Sequence, residues 1–87
     1  MRYTIAEGVL CQEFPDEAIV LSLDSAEYFR LNSTSLLIWR MLRTGTGRDA
    51  IEAALLNDFD ASAERVRGEV DAFLGRLVQL GLIREVT

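Results

Sequence analysis

The spacing of apolar and polar residues changes character along this chain, from a two-residue to a roughly three- to four-residue period. From 18 to 24 the run Ala-Ile-Val-Leu-Ser-Leu-Asp alternates. It sets Ile19, Leu21 and Leu23 on one side and Val20, Ser22 and Asp24 on the other, which predicts a strand whose first side faces a core. A short apolar stretch at 9–14 reads as an earlier strand. Pro15-Asp16-Glu17 breaks it, because proline has no amide proton for a ladder and suits a turn. Asp24-Ser25-Ala26-Glu27 is a tight connection, and Tyr28-Phe29-Arg30-Leu31 has the aromatic enrichment of a strand, so 18–31 is predicted as a hairpin.

Beyond Asn32 the period becomes helical. Asn32 is placed as an N-cap, followed by Leu36, Ile38, Trp39, Met41 and Leu42, with Thr44-Gly45 as the stop. Thr46-Gly47-Arg48-Asp49 has the form of a capping box and introduces Ile51, Ala54, Leu55 and Phe59. After Asp60-Ala61-Ser62, the longest helix carries Val66, Val70, Phe73, Leu74 and Leu77 and ends at Gly81, a left-handed cap. The extended segment 82–86 suits either a short terminal strand or a tail packed on the core. The predicted fold is therefore α+β and winged helix-turn-helix-like, with three N-terminal antiparallel strands followed by three helices, and 1–87 as a single domain.

Composition narrows the function. Apolar residues make up 49% and charged residues 26% of the 87, the balance of a folding chain. No apolar run reaches the roughly 20 residues that span a bilayer, and the start of the chain has no basic-then-apolar secretory pattern, so a cytoplasmic protein without membrane contact is expected. Net charge is −5, and the nine basic residues, all arginine, are scattered from Arg2 to Arg84. Phosphate recognition needs a cationic face, so nucleic acid is not an expected partner. The longest helix illustrates this, since Arg65, Arg67 and Arg76 are offset by Glu64, Glu69 and Asp71.

Histidine is absent, which removes the usual general base and metal ligand. Cys11, the one cysteine, reads as a small buried hydrophobe. The acidic neighbours Asp16 with Glu17 and Asp58 with Asp60 fall at element ends, where carboxylates ordinarily cap and solvate. No catalytic residue, metal or cofactor is expected.

The succession Leu23-Asp24, Tyr28-Phe29-Arg30-Leu31-Asn32, Ile38-Trp39, Leu42, Ile51, Leu55, Phe59-Asp60, Val70-Asp71-Ala72-Phe73-Leu74, Leu77 and Gly81-Leu82-Ile83 resembles the PqqD family over almost the whole chain. Each element is short and apolar; their order and spacing carry the likeness. The resemblance implies a precursor-recognition element of a ribosomally synthesised, post-translationally modified peptide pathway. Such an element would be non-catalytic and would present a precursor's leader segment to a separate maturation enzyme. The spacing Asp-x-x-x-Tyr-Phe-x-Leu-Asn with Ile-Trp is more similar to the free-standing B1-type proteins of lasso peptide clusters, whose partner is a leader peptidase. A chaperone of the pyrroloquinoline quinone type, serving a radical SAM enzyme, is the alternative. A winged-helix DNA-binding module and a generic interaction module are rivals outside the family.

By the same resemblance the leader adds as a strand to the third predicted strand, beside the third helix. The peptide-binding residues carried over are Glu27, Tyr28, Phe29, Arg30 and Leu31 on the edge and Val66, Glu69, Val70, Phe73, Leu74 and Leu77 on the helical wall. A Val/Phe/Leu stripe on a long helix is ordinarily core, so some of the wall must serve the core instead. Tyr28 and Arg30 share one face of the strand and Phe29 and Leu31 the other, so one pair is expected to line the groove. Two features depart from the family. Ser25-Ala26 stands where relatives often have glycine, which suggests a turn without positive φ, and Leu37 stands where relatives more often carry a polar residue, which suggests an exposed partner contact.

Overall fold

The computed structural model describes residues 2–58 and 62–86, and within them the chain forms five strands and three helices. In chain order these are β1 (Arg2–Ile5), β2 (Val9–Glu13), β3 (Ala18–Ser22), β4 (Glu27–Leu31), α1 (Ser33–Arg43), α2 (Arg48–Asp58), α3 (Ala63–Gln79) and β5 (Ile83–Val86). An antiparallel meander, β2-β3-β4, makes one sheet, and β1 pairs with β5 in a second. The α+β class, the central hairpin and the three helices agree with the sequence reading.

The strands are not all N-terminal, however. The segment 82–86 resolves into β5, and β1 has no counterpart among the predicted strands. Arg2–Ile5 is only four residues, followed by a turn in which Gly8 takes φ 76°, and its pairing is with the far end of the chain, Ile5 opposite Ile83 and Tyr3 opposite Glu85. A strand created by so distant a partner leaves little local trace.

The core face of β3 is the reverse of the one predicted. Ala18, Val20 and Ser22 are buried, Ile19 and Leu21 are half-buried, and Leu23 is 57% exposed. Both sides of β3 are apolar, so alternation alone does not choose between them. The neighbouring strands do. Val20 lies between Cys11 and Phe29, whereas Ile19 lies between Gln12 and Arg30, whose polar ends must stay wet. The helices therefore cover the Val20 face.

Helix ends follow local chemistry. The Asn32 side chain accepts from the Ser35 amide at 2.9 Å, and the Ser62 hydroxyl accepts from Arg65 N at 3.2 Å. At the end of α3, Gly81 adopts φ 75°, its amide donates to the Val78 carbonyl, and the Leu82 amide donates to the Leu77 carbonyl. Leu77 and Leu82, both buried, complete this Schellman motif. The expected Thr46 capping box does not form. α2 begins at Arg48, the Ile51 amide bonds to the Gly47 carbonyl, and the Thr46 hydroxyl sits 3.2 Å from that of Thr44. Phe59 and Asp60 lie outside the described residues.

The core gathers Tyr3, Val20, Leu36, Trp39, Leu42, Ile51, Val70, Leu74, Leu82 and Ile83, drawn from both sheets and all three helices. Glu13, at the end of β2, receives Arg40 at 2.7 Å and Arg43 at 2.8 Å, tying the sheet to α1. Those two guanidiniums, the Arg40 hydrogen bond first, hold the Glu13 carboxyl below its ordinary range. A depressed carboxylate stabilises the fold above its unfolded-state pKa and loses that contribution as pH falls through the folded value. The destabilisation caused by Glu13→Gln is thus expected at neutral pH and should vanish in acid melts.

The turn at 24–27 also differs from expectation, because Ala26 takes φ 57°. Left-handed backbone is strained for a residue with a Cβ. Ala26→Gly is expected to raise stability by up to about 1 kcal/mol, the relief being partly offset by glycine's greater freedom in the unfolded chain. A thermal melt should shift upward by a few degrees, about 4–8 °C per kcal/mol for a domain of this size.

Candidate functional site

β4 is an edge strand, and the hydrogen-bonding phase of the meander identifies which of its groups are free. Leu23 N donates to the Gly8 carbonyl at 2.8 Å and Phe14 N to the Glu17 carbonyl at 2.7 Å. In an antiparallel ladder, hydrogen-bonded pairs recur every second residue. Ile19 and Leu21 of β3 therefore turn their backbone groups toward β2, and Ala18, Val20 and Ser22 turn theirs toward β4. Their partners Leu31, Phe29 and Glu27 are the inward-bonded residues of β4. Tyr28 and Arg30 point their N–H and C=O groups away from the sheet, four groups offered to whatever lies alongside.

What lies alongside is a groove. A hollow of about 410 Å³ is bounded by Tyr28, Phe29, Arg30 and Leu31 on the strand side, and by Phe73, Arg76, Leu77 and Leu80 of α3 on the other, with Leu82 and Ser35 between. A second hollow, about 280 Å³, continues it past Asn32, Thr34, Ser35 and Ile38 against Leu55, Glu69, Val70 and Phe73. Ser35 and Phe73 belong to both. The residue numbers rise along the strand as they fall along the helix, so β4 and α3 pass the groove in opposite directions.

The sequence model of the family described as coenzyme PQQ synthesis protein D (PqqD) matches residues 17–83. The chain belongs to the PqqD family. Among solved structures, the PqqD-family chain superimposes on TbiB1 in complex with the TbiA(beta) leader peptide with a TM-score of 0.91 and 24% identity, covering 97% of this chain and 98% of that one. It likewise matches a lasso peptide synthetase B1 complexed with the leader peptide, at a TM-score of 0.89 and 18% identity over 98% of this chain and 100% of that one. At these identities the likeness is one of fold. Comparison with curated protein sequences gives no match.

The residues singled out from the PqqD-family sequence distribute unevenly. Tyr28, Phe29, Arg30 and Leu31 all border the first hollow, because the strand's own edge is its rim. Phe29 and Leu31 share the face of Val20 and Ala18 and so turn toward the helices, while Tyr28 and Arg30 share the outer face. Glu27 is exposed and pairs with Ser22 at the turn, outside both hollows. On α3, Glu69 and Val70 line the second hollow, Leu77 the first, and Phe73 both. Val66 and Leu74 line neither and are buried in the core. Leu37 is half-buried against the core rather than exposed.

Sequence reasoning missed Ser35, Arg76, Leu80 and Leu82 in the first hollow and Asn32, Thr34, Ile38 and Leu55 in the second. Arg76 and Leu80 follow Phe73 and Leu77 at three-residue intervals, so extending the helical stripe by one turn would have found them. Leu82 arrives only through the Schellman turn.

Charges around the groove are sparse. Arg30 is paired with Glu17 across the outer face of the sheet, and Arg65 reaches Glu69 at 3.4 Å. Cys11 is half-buried against the core on the Val20 face of the sheet, and burial, followed by the charge of Glu13, pushes its thiol up. Its alkylation at neutral pH is expected to be several-fold slower than in the denatured chain, since the thiolate is the reactive form. Among the described residues no group of three or more His, Cys, Asp or Glu could hold a metal, and no helix is long and apolar enough to cross a membrane.

Proposed function

We propose that this PqqD-family chain is a non-catalytic adaptor, which captures the leader segment of a ribosomally made precursor peptide and delivers it to a separate maturation enzyme. The observation that carries this reading is the outward set of backbone groups on Tyr28 and Arg30, set beside a groove into which Phe29, Leu31, Phe73 and Leu77 contribute apolar surface. An extended peptide laid there gains main-chain hydrogen bonds whatever its sequence, and side chains entering the groove supply selectivity. Leader peptides are the ligands named for both solved structures of the same fold.

A lasso-type leader peptidase is the favoured enzyme, because one of those structures is a lasso peptide synthetase B1. The family description, coenzyme PQQ synthesis protein D, supports the second reading, a quinone-type chaperone for a radical SAM enzyme. An adaptor needs a surface left over after the leader is bound. The outer face of the β2-β3-β4 sheet offers one, where Leu10, Leu21 and Tyr28 form an exposed to half-buried apolar row across the three strands.

The test is a titration of labelled precursor into the purified protein, followed by fluorescence anisotropy. Full precursor and isolated leader should bind alike, and the core peptide alone should not. Failure of the leader to bind at high micromolar concentration would remove the adaptor reading.

A further inference from the structure

Three charged side chains border the groove: Arg30, Glu69 and Arg76. Two have counter-ions, Arg30 through Glu17 and Glu69 through Arg65. Arg76 has none among the described residues. Its helical neighbours three and four residues away, Ala72, Phe73, Gln79 and Leu80, are all uncharged. Among the described residues, the groove of a chain with net charge −5 therefore carries one uncompensated cation, and that cation stands one helical turn from Phe73 and beside Leu77 and Leu80.

We infer that Arg76 is a specificity-determining residue that selects peptides carrying a carboxylate two positions from an apolar anchor. The inference rests on the strand-addition reading above. In an added strand, alternate side chains face the groove about 6.6–6.8 Å apart. When one apolar side chain occupies the hollow between Phe29, Leu31, Phe73 and Leu77, the next on the same face, toward Leu80, comes within reach of a flexible guanidinium. An acidic side chain there gains a charge-assisted bond, and a lysine meets like charge. Arg30 does not compete for this role, because it lies on the outer face and is held by Glu17. Arg76 also lies in the last turn of α3, where a cation suits the helix dipole. That structural role predicts no effect on which peptides bind, so the two are separable.

The test is a displayed library of random short peptides selected in parallel on the wild-type protein, Arg76→Glu and Arg76→Gln. Arg76 is exposed, so the core is untouched by either change, and a thermal melt verifies this. Wild type should enrich Asp or Glu two positions from an aliphatic or aromatic anchor, and Arg76→Glu should enrich Lys or Arg at that position. Resynthesised wild-type winners should lose on the order of fivefold in affinity when the acid is changed to its amide, and should lose nothing on Arg76→Gln. An apolar anchor without acidic preference, or an acidic preference that survives Arg76→Glu, would overturn the inference while leaving strand addition standing. If no extended peptide is enriched on wild type, strand addition itself fails and the inference falls with it.

Discussion

Arg30→Pro is expected to weaken leader binding at least tenfold while leaving the hairpin folded, and Phe29→Pro is expected to do the opposite, damaging the fold first. The two positions are adjacent in β4 and differ in where their amides point. The Arg30 N–H faces away from β3, so proline there removes a donor from the free edge and sets its ring against an incoming strand. One lost main-chain bond is about 1 kcal/mol, and the steric clash adds to it; about 1.4 kcal/mol is already a factor of ten. An edge strand tolerates proline when the N–H looks outward. Phe29 pairs with Val20 in the ladder, so proline at that position leaves the Val20 carbonyl unpaired in a buried setting, a loss of about 1–3 kcal/mol before the packing of the ring is counted. Arg30→Ala isolates the contribution of the side chain and its exposed pair with Glu17, which is expected to be small. Circular dichroism melts and anisotropy titrations on the three variants separate fold from binding.

Phe73→Ala should be the most damaging single truncation for binding on α3. Phe73 is half-buried, packs on the core from outside it, and borders both hollows, so its ring is the partition along which the two halves of the groove meet. Losing the apolar contact of a large side chain with the peptide corresponds to about 1.5–3 kcal/mol, or roughly a 10- to 100-fold rise in Kd. Leu74→Ala is the contrasting case. Leu74 is fully buried one residue later and lines neither hollow, so its truncation is expected to lower stability by about 2–5 kcal/mol. In protein that remains folded, Kd should be nearly unchanged. Parallel denaturant and binding titrations check the pair.

The contrast between Phe73 and Leu74 also shows how far the sequence is legible. Periodicity placed α1 and α3 with their caps at Asn32, Gly45 and Gly81, because capping chemistry is local and each signal lies within a few residues of the element it ends. The apolar stripe of α3 was visible too, but a stripe does not say which members meet the core and which meet a groove. That division depends on where α3 lies relative to β4, which the residues of α3 alone do not specify. The same is true of β3. Its two apolar faces became distinguishable only when Gln12 and Arg30 were seen to flank Ile19.

β1 and the positive φ of Ala26 were illegible for different reasons. β1 exists through its pairing with β5, at the opposite end of the sequence. Ala26 gives no compositional warning, since alanine ordinarily avoids that conformation and glycine would have announced it. Arg76 is the instructive omission in the site. As a member of the helix it merely balances acidic neighbours in a charge count, and only its position beside the hollow, away from those acids, gives it a role to test.

The central claim is that a leader pairs with the free edge of β4, and backbone amide hydrogen exchange at that strand tests it most directly. In the free protein, Phe29 and Leu31 should exchange slowly, being bonded to β3, and Tyr28 and Arg30 should exchange fast. Saturation with leader should slow Tyr28 and Arg30 strongly and leave the other two nearly unchanged. Leader binding that leaves the Tyr28 and Arg30 amides exchanging as fast as before would contradict strand addition at β4.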